Sequence, residues 1–446
     1  MKENTKSMKY SLRISASLLA LGLAFFAAGA TDAASPAPLP TASSADVQKI
    51  LASPGFKAAI ATIDKDYQRY VDEGVHLTEI PAPPFKEAVR AKEYERMLKD
   101  AGLTDVTIDA EGNAYGTRKG THSDGKFIVV AAHLDTVFPE GTDVKVKKQG
   151  TRFNAPGIGD DTYSLAAILS FVRAMNAAGI KTRDDIIFMG NVGEEGEGDL
   201  RGVRYLFTKG PLKDKIKAFM SIEGGSASGI TTGGVGSRRY RVTFSGPGGH
   251  SYGAFGLVNP MYALGSAAAE FSHTEVPEKP KTTFGIGVIG GGTSVNSIPL
   301  SVWMDIDMRS ESPAELNKVE ARMFKIMADA TESENKTRDT KEGKITVDIK
   351  KIGDRPAGTI DEKSPLVQSA TAAVVAAGLK PTYGYGSTDS NIPFSLGIPA
   401  ITIGKNGPNS GGRGHSLDEW IDVNKEPMLK GMTTCLSVIL AVAGME

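Results

Sequence analysis

The chain alternates short apolar runs with longer stretches of helical period. The runs at 127–132, 186–191, 218–222 and 400–403 are apolar almost throughout and lead into polar loops, as expected of strands buried on both faces. Stretches at 45–72, 87–101, 165–178, 366–377 and 425–443 read as helices, and 106–108 and 114–117 as two short strands. Pro81, Pro83 and Pro84 make an irregular turn of the segment 80–85. Strands alternating with helices predict an α/β fold class: a mainly parallel sheet with helices on both faces.

Between 238 and 352 the pattern changes. Segments 238–244 and 302–308 alternate polar with apolar residues, and further strands are predicted at 283–288 and 344–350. Helices are predicted at 261–271 and 313–330. Strands with one polar face imply a small antiparallel sheet covered by helices on one side. We read 238–352 as an α+β domain inserted into a main domain made of 45–237 and 353–446. There are no internal repeats.

Composition narrows the setting. Lys2, Lys6, Lys9 and Arg13 precede an apolar run at 18–28 and the triplet Ala28, Gly29, Ala30, the pattern of a secretory signal peptide over 1–30. The run is short for a permanent bilayer span. Residues 31–44, rich in Pro, Ala and Ser, are expected to form a flexible leader. The expectation is an exported bacterial protein, periplasmic or secreted, with no membrane segment in its mature form. Its single cysteine, Cys435, cannot form an internal disulfide and reads as a core residue. A net charge of −1 gives no long-range pull toward nucleic acid or anionic lipid.

Candidate chemistry collects where parallel sheets place ligands, beyond the C-terminal ends of the strands. His133 and Asp135 follow the run at 127–132, Glu194 and Glu195 follow 186–191, and Glu223 follows 218–222. A glycine-rich loop after 400–403 leads to His415, and the loop before the helix at 165 carries Asp160 and Asp161. Each feature alone has an ordinary explanation: a solvated acidic loop, a helix cap, a turn. Together they put an acid or an imidazole at the end of each core strand. Packed carboxylates repel, and burial makes their charge costlier. Cations offset both costs, and a mixed set of His and carboxylates suits zinc, with manganese or cobalt possible. Two imidazoles and three carboxylates fill two metal sites if one carboxylate bridges, and one acid is then left to move protons.

The blocks HLD at 133–135, GIGDD at 157–161, GEEGEG at 193–198, IEGG at 222–225, GPGGHS at 246–251 and GRGHS at 412–416 resemble the M20 family of metallopeptidases. The resemblance runs from about Leu77 to the C-terminus, in block order and spacing. It implies a di-zinc catalytic domain with an inserted lid that mediates homodimerisation. By position, His133 and Glu223 would hold one metal, Glu195 and His415 the other, and Asp160 would bridge them. Asp135 would orient the His133 ring, and Glu194 would be the general base and acid. His250 would reach a site from the lid, often that of the partner subunit, and stabilise the oxyanion. Asn296 and Arg309 would grip a substrate carboxylate. Where the family often has Lys and Gly after the Asp pair, this chain has Thr162, Tyr163 and Ser164.

The resemblance implies hydrolysis of amide bonds in short peptides by an exopeptidase of aminopeptidase, di- or tripeptidase type, with an N-acyl amino acid deacylase or a carboxypeptidase on the same scaffold as the alternatives. Three rivals remain at this stage. GHSYG at 249–253 fits G-x-S-x-G, and Ser251, Asp389 and His415 follow the chain order of a serine-hydrolase triad, although the strand and helix that should flank such an elbow are missing. Asp389 is otherwise read as a supporting residue. A non-catalytic binding protein would be expected to lack a ligand or the base, and neither is missing. A dinucleotide-binding domain would need a G-x-G-x-x-G opening a helix after the first core strand, which is absent.

Overall fold

The computed structural model describes Leu39 and residues 41–446, so the segment 1–30 and most of the leader lie outside the described residues. Pro38–Glu446 form one compact unit. At its centre, in order, stand Asp185–Asn191, Phe127–His133, Ile216–Ser226 and Ala400–Asn406, all parallel. Phe127–His133 serves two cores at once. Ile128, Val130 and Ala132 face helices including Tyr163–Ala177 and Lys425–Ala443, while Val129 and Ala131 face Arg201–Thr208. This double burial explains why the run has no polar alternation.

The flanks of this nine-stranded sheet depart from the parallel expectation. Thr104–Ile108 and Ala114–Arg118 run antiparallel on one side, and Gly229–Gly234 is antiparallel to Ala400–Asn406 on the other. Gly358–Thr359 and Thr382–Gly386 both pair with Gly229–Gly234. Antiparallel neighbours need only a short turn, whereas parallel ones need a crossover, so short segments gather at the edges.

The predicted helix at 45–72 is three helices, Ser44–Ala52, Pro54–Lys65 and Tyr67–Thr78. Pro54 lacks the donor an interior helical position needs, and it sits in the first turn of the second helix, capped by Ser53. The end of the leader is held in place: the Ala42 amide donates to Ser369 Oγ at 2.9 Å, and Ser43 forms a capping box with Asp46.

The inserted region is a four-stranded antiparallel sheet in the order Thr282–Gly291, Ser301–Ser310, Gly236–Ser245, Thr346–Arg355. The helices Pro260–Ser272 and Pro313–Thr337 cover one face, around Val242, Phe244, Met304 and Ile306. A further sheet joins Lys147–Gln149, Arg152–Asn154, Trp420–Asp422 and Gly411–Gly412. Its strands of two or three residues are too short to show a period in sequence, yet they bring the loop of His415 against the segment that leads to Asp160. Cys435 is buried and unpaired, and its helix Lys425–Ala443, though apolar enough to cross a bilayer, is largely buried as a core helix.

Candidate active site

Strands of both large sheets and the loops of Asp160, Glu194 and His415 converge on one cavity of about 350 Å³. His133, the last residue of its strand, is 1% exposed. Its Nε2 lies 2.8 Å from Asp160 Oδ1, and its Nδ1 lies 3.0 Å from the backbone oxygen of Asp135. His415 Nε2 lies 3.2 Å from the other oxygen of Asp160 and 2.8 Å from Glu195 Oε1. One carboxylate therefore spans both imidazoles. Glu223, from the strand Ile216–Ser226, lines the same cavity beside Glu194.

Local backbone chemistry sets up this convergence. The loop of Asp160 lies so close to the strand of Glu223 that a Cβ on Gly224 would come 2.4 Å from the Gly159 oxygen, so only glycine fits there. The loop turns at Gly157, where φ is +75°. His415 itself has φ +65°, a conformation that a non-glycine residue keeps only when its surroundings enforce it. Asp135 is fully buried, and its two carboxylate oxygens accept the backbone N–H groups of Glu194 (2.9 Å) and Glu195 (2.8 Å). The ring of His133 is nearer to the Asp135 carbonyl than to its carboxylate, which stands 3.7 Å away. The Asp135 side chain thus shapes the turn carrying both glutamates as much as it faces the histidine.

The electrostatics are those of an acidic floor. Burial pushes Glu194 and Glu223 well above the usual carboxylate range, helped by Glu195 and by Asp161 respectively. Asp161 is pushed to about 8 by burial and by Asp160. Burial opposes protonation of His133, but Asp135 and Asp160 outweigh it and hold the ring well above the usual imidazole value. Hydrogen bonds to Asp160 and Glu195 raise His415 to about 10. The carboxylates favour the cationic form of both imidazoles, and bound metal ions would supply positive charge at the same place.

A model of peptidase family M20/M25/M40 matches residues 129–441. The chain belongs to this family. It is accordingly a hydrolase of the metallopeptidase type, acting on amide bonds. Among solved structures, aminopeptidase PepT from Bacillus cereus shares the fold with a TM-score of 0.67 and 21% identity, over 84% of this chain and 98% of that one. The YxeP protein of Bacillus subtilis, a dinuclear metal-binding peptidase of family M20, has a TM-score of 0.60 at 17% identity, over 84% of this chain and 99% of that one. The DapE protein of Mycobacterium tuberculosis, described as a succinyl-diaminopimelate desuccinylase, is 25% identical over 78% of this chain and 92% of its own length.

The donor set of this M20 chain fits divalent metals. Among the described residues, three groups present ligand atoms within 4.8 Å of one another: His133 with Glu194 and Glu195, His133 with Asp161 and Glu223, and Asp160 with Glu195 and His415. Asp161 also has a buried oxygen, Oδ1, with no hydrogen-bond partner. Its Oδ2 is 3.3 Å from the His133 backbone N–H, so it sits beneath the site.

The lid residues are placed differently from one another. Arg309 lines the cavity. His250 and Asn296 lie outside its lining, exposed at the tip of the lid. There His250 Nδ1 accepts the N–H groups of Tyr252 (3.2 Å) and Gly253 (3.3 Å), and Asn296 Oδ1 accepts the Ser294 hydroxyl at 2.6 Å. The serine-triad rival does not assemble. Ser251 stands on the same lid tip, Asp389 accepts from Asn191 at 2.7 Å, and His415 faces Asp160 and Glu195.

Two arginines escaped the sequence reading. Arg355, nearly fully buried, donates from Nη1 to Glu194 Oε1 at 3.0 Å and from Nη2 to the Glu194 backbone oxygen. Arg239 reaches from the lid sheet to Asp307 (3.0 Å) and to the Gly196 oxygen (3.1 Å). The signal for Arg239 was available. Tyr240, Val242 and Phe244 point to the helices, so the alternate residues of that strand face away from them, and Arg239 there meets the main domain. Arg355 carried no such signal, because it lies at the end of a strand whose neighbours are also charged.

Proposed function

We propose that this chain is an exported di-metal exopeptidase that hydrolyses amide bonds of short peptides, of aminopeptidase, di- or tripeptidase type. The observation that carries this reading is the Asp160 carboxylate between His133 and His415, with a buried Glu194 beside it. His133, Glu223 and Asp160 would hold one ion, and Asp160, Glu195 and His415 the other, most readily zinc. Bound there, such a pair makes water acidic near neutral pH and stabilises charge on the oxygen of the attacked carbonyl. Glu194 takes the proton from the attacking water and delivers it to the leaving nitrogen. Arg355 holds its carboxylate in one orientation.

Arg309, across the cavity, offers a fork for a substrate carboxylate. This feature also favours a second reading, an N-acyl amino acid deacylase, in which the same fork holds the carboxylate of the acylated amino acid. The described function of DapE is of that kind.

A homodimer through the lid is part of the proposal. Tyr252, Phe255, Val295 and Leu300 are exposed around His250, and Thr282–Gly291 is an edge strand. Export rests on the basic head, apolar run and small-residue triplet at 1–30.

The test is metal depletion followed by a substrate panel. Chelated protein should be inactive, and zinc, manganese or cobalt should restore hydrolysis of free di- and tripeptides over blocked peptides. Preference for N-acetyl or N-succinyl amino acids would select the second reading. Absence of amide hydrolysis on every substrate with every metal would overturn both.

A further inference from the structure

Glu419 has no part in the chemistry described so far, yet its carboxylate is buried beside the bridging aspartate. Its Oε1 accepts the N–H of Gly159 at 2.7 Å and of Asp160 at 2.9 Å, and its Oε2 accepts the N–H of Gly157 at 3.2 Å. The residue is 1% exposed. Three donors from one loop thus converge on one side chain. The backbone adds to the tie: the Ala155 N–H donates to the Glu419 oxygen at 3.1 Å, and the Glu419 N–H donates to Ser416 at 3.0 Å. A Cβ on Gly159 would come 3.1 Å from Glu419 Oε1, so glycine there lets the carboxylate approach.

His415 stands four residues before Glu419 and touches Asp160 from the opposite side, at the carboxylate. The segment 415–419 therefore grips Asp160 twice, by an imidazole on the side chain and by a carboxylate on the backbone N–H. His133 and Glu223, by contrast, stand on central parallel strands and need no such help.

We infer that Glu419 is a positioning residue for the two-metal centre, fixing the bridging Asp160 and the loop of His415 relative to each other, so that its loss weakens the metal on the His415 and Glu195 side more than the one on the His133 and Glu223 side. The inference rests on the two-metal reading above. A group that orients ligands in this way is worth about 10- to 100-fold in metal affinity.

The test measures zinc binding by competition with a chromophoric chelator, using the whole metal-depleted protein. Wild type should take up two equivalents. Glu419→Gln keeps the volume but turns an amide NH₂ toward backbone donors. It should bind the first equivalent with unchanged affinity and the second about 10- to 100-fold more weakly. Excess zinc should then recover kcat with little change in KM. Gly159→Ala displaces the same carboxylate without removing it and should give the same selective loss, smaller in size. Glu419→Ala is the harsher version, and if it does not fold, the other two variants decide. Two equivalents at wild-type affinity in both would overturn the inference. So would equal weakening of both equivalents with a lowered Tm of the metal-free protein, the mark of a purely structural residue. A wild type that binds fewer than two equivalents would instead overturn the two-metal reading itself.

Discussion

The floor of the cavity carries most of the expected functional residues and the tip of the lid only His250 and Asn296, and the two regions are built in different ways. On the floor, Asp135 and His133 are buried, the Asp135 carboxylate accepts the backbone N–H groups of Glu194 and Glu195, the Glu419 carboxylate accepts that of Asp160, and the Asp160 carboxylate meets both His133 and His415. At the tip, His250 and Asn296 are exposed, and their side chains bond only within their own loops, although the two segments pair through the backbone. Strand ends in a close-packed sheet can hold a ligand to a fraction of an ångström because the core behind them does not yield. A loop at the end of an inserted sheet cannot, and its residues gain a fixed position only from something outside their own loop. The floor residues meet within one chain, whereas the side chains of the tip do not reach the cavity of their own chain.

The sharpest way to break this comparison is to remove the proton carrier from the floor. Glu194→Gln should lower kcat by about 10²- to 10⁴-fold, the usual share of general acid–base catalysis, while two equivalents of metal still bind. Activity near wild type would mean that the floor is scaffold and that the chemistry lies elsewhere. Next in size is the tip. His250→Ala should lower kcat by about 10²- to 10³-fold, the cost of one oxyanion donor, although the residue lies outside the cavity lining of its own chain. Mixing Glu194→Gln with His250→Ala subunits should recover part of the activity, because a mixed dimer has one intact floor served by one intact tip. No recovery, in protein shown by sedimentation to be dimeric, would place His250 in service of its own chain.

The same contrast explains what could be read from sequence. His133, Glu194, Glu195 and Glu223 stood out because they lie at or after apolar strands, and a buried parallel strand has a plain pattern, whereas Asp160 sits in the loop before a helix. The separation of Glu194 from Glu195 was not legible from spacing: both amides are held by Asp135, and what distinguishes them is that Arg355 pairs with one while His415 pairs with the other. Arg355 and Glu419 come from distant segments that meet only through tertiary pairing. The one-sided packing of the second sheet was legible from alternation, as at Tyr240, Val242 and Phe244. The mainly parallel reading holds for the four central strands, while Thr104–Ile108 and Gly229–Gly234 pair antiparallel with their neighbours toward the edges. Short strands do not announce their direction.

A third effect belongs to the seam between the two regions. Arg309 donates to Asp307 at 2.7 Å through Nε, which leaves the end of its guanidinium fork facing the cavity. Arg309→Ala should raise KM about 10- to 100-fold on substrates with a free carboxylate, the size of a lost charge-assisted hydrogen bond. Amides of the same substrates should show little change. Equal losses on both would show that Arg309 holds the lid sheet together and does not read the substrate.

The smallest effect tests whether the surface of the main domain shares the electrostatic character of its floor. Glu93, on the helix Ala88–Asp100, is bound by Arg96 and His76. Its hydrogen bond to Arg96 leads the causes that hold it down to about 2. A depressed carboxylate contributes stability that is present above its unfolded value, near 4.3, and lost as the pH falls through the folded value. Glu93→Gln should therefore lower the urea midpoint slightly at pH 7, by an amount equivalent to about 0.5 kcal/mol after allowance for solvent screening. The difference should shrink as the pH falls from 4 toward 2, because wild-type Glu93 is itself becoming neutral. A difference that stays constant with pH would show that the glutamine disturbs helix packing and removes no charge interaction. A loss several times larger would mean that surface pairs stabilise this domain as strongly as buried groups do, and the contrast between a rigid, acid-rich floor and an ordinary solvated surface would have to be redrawn.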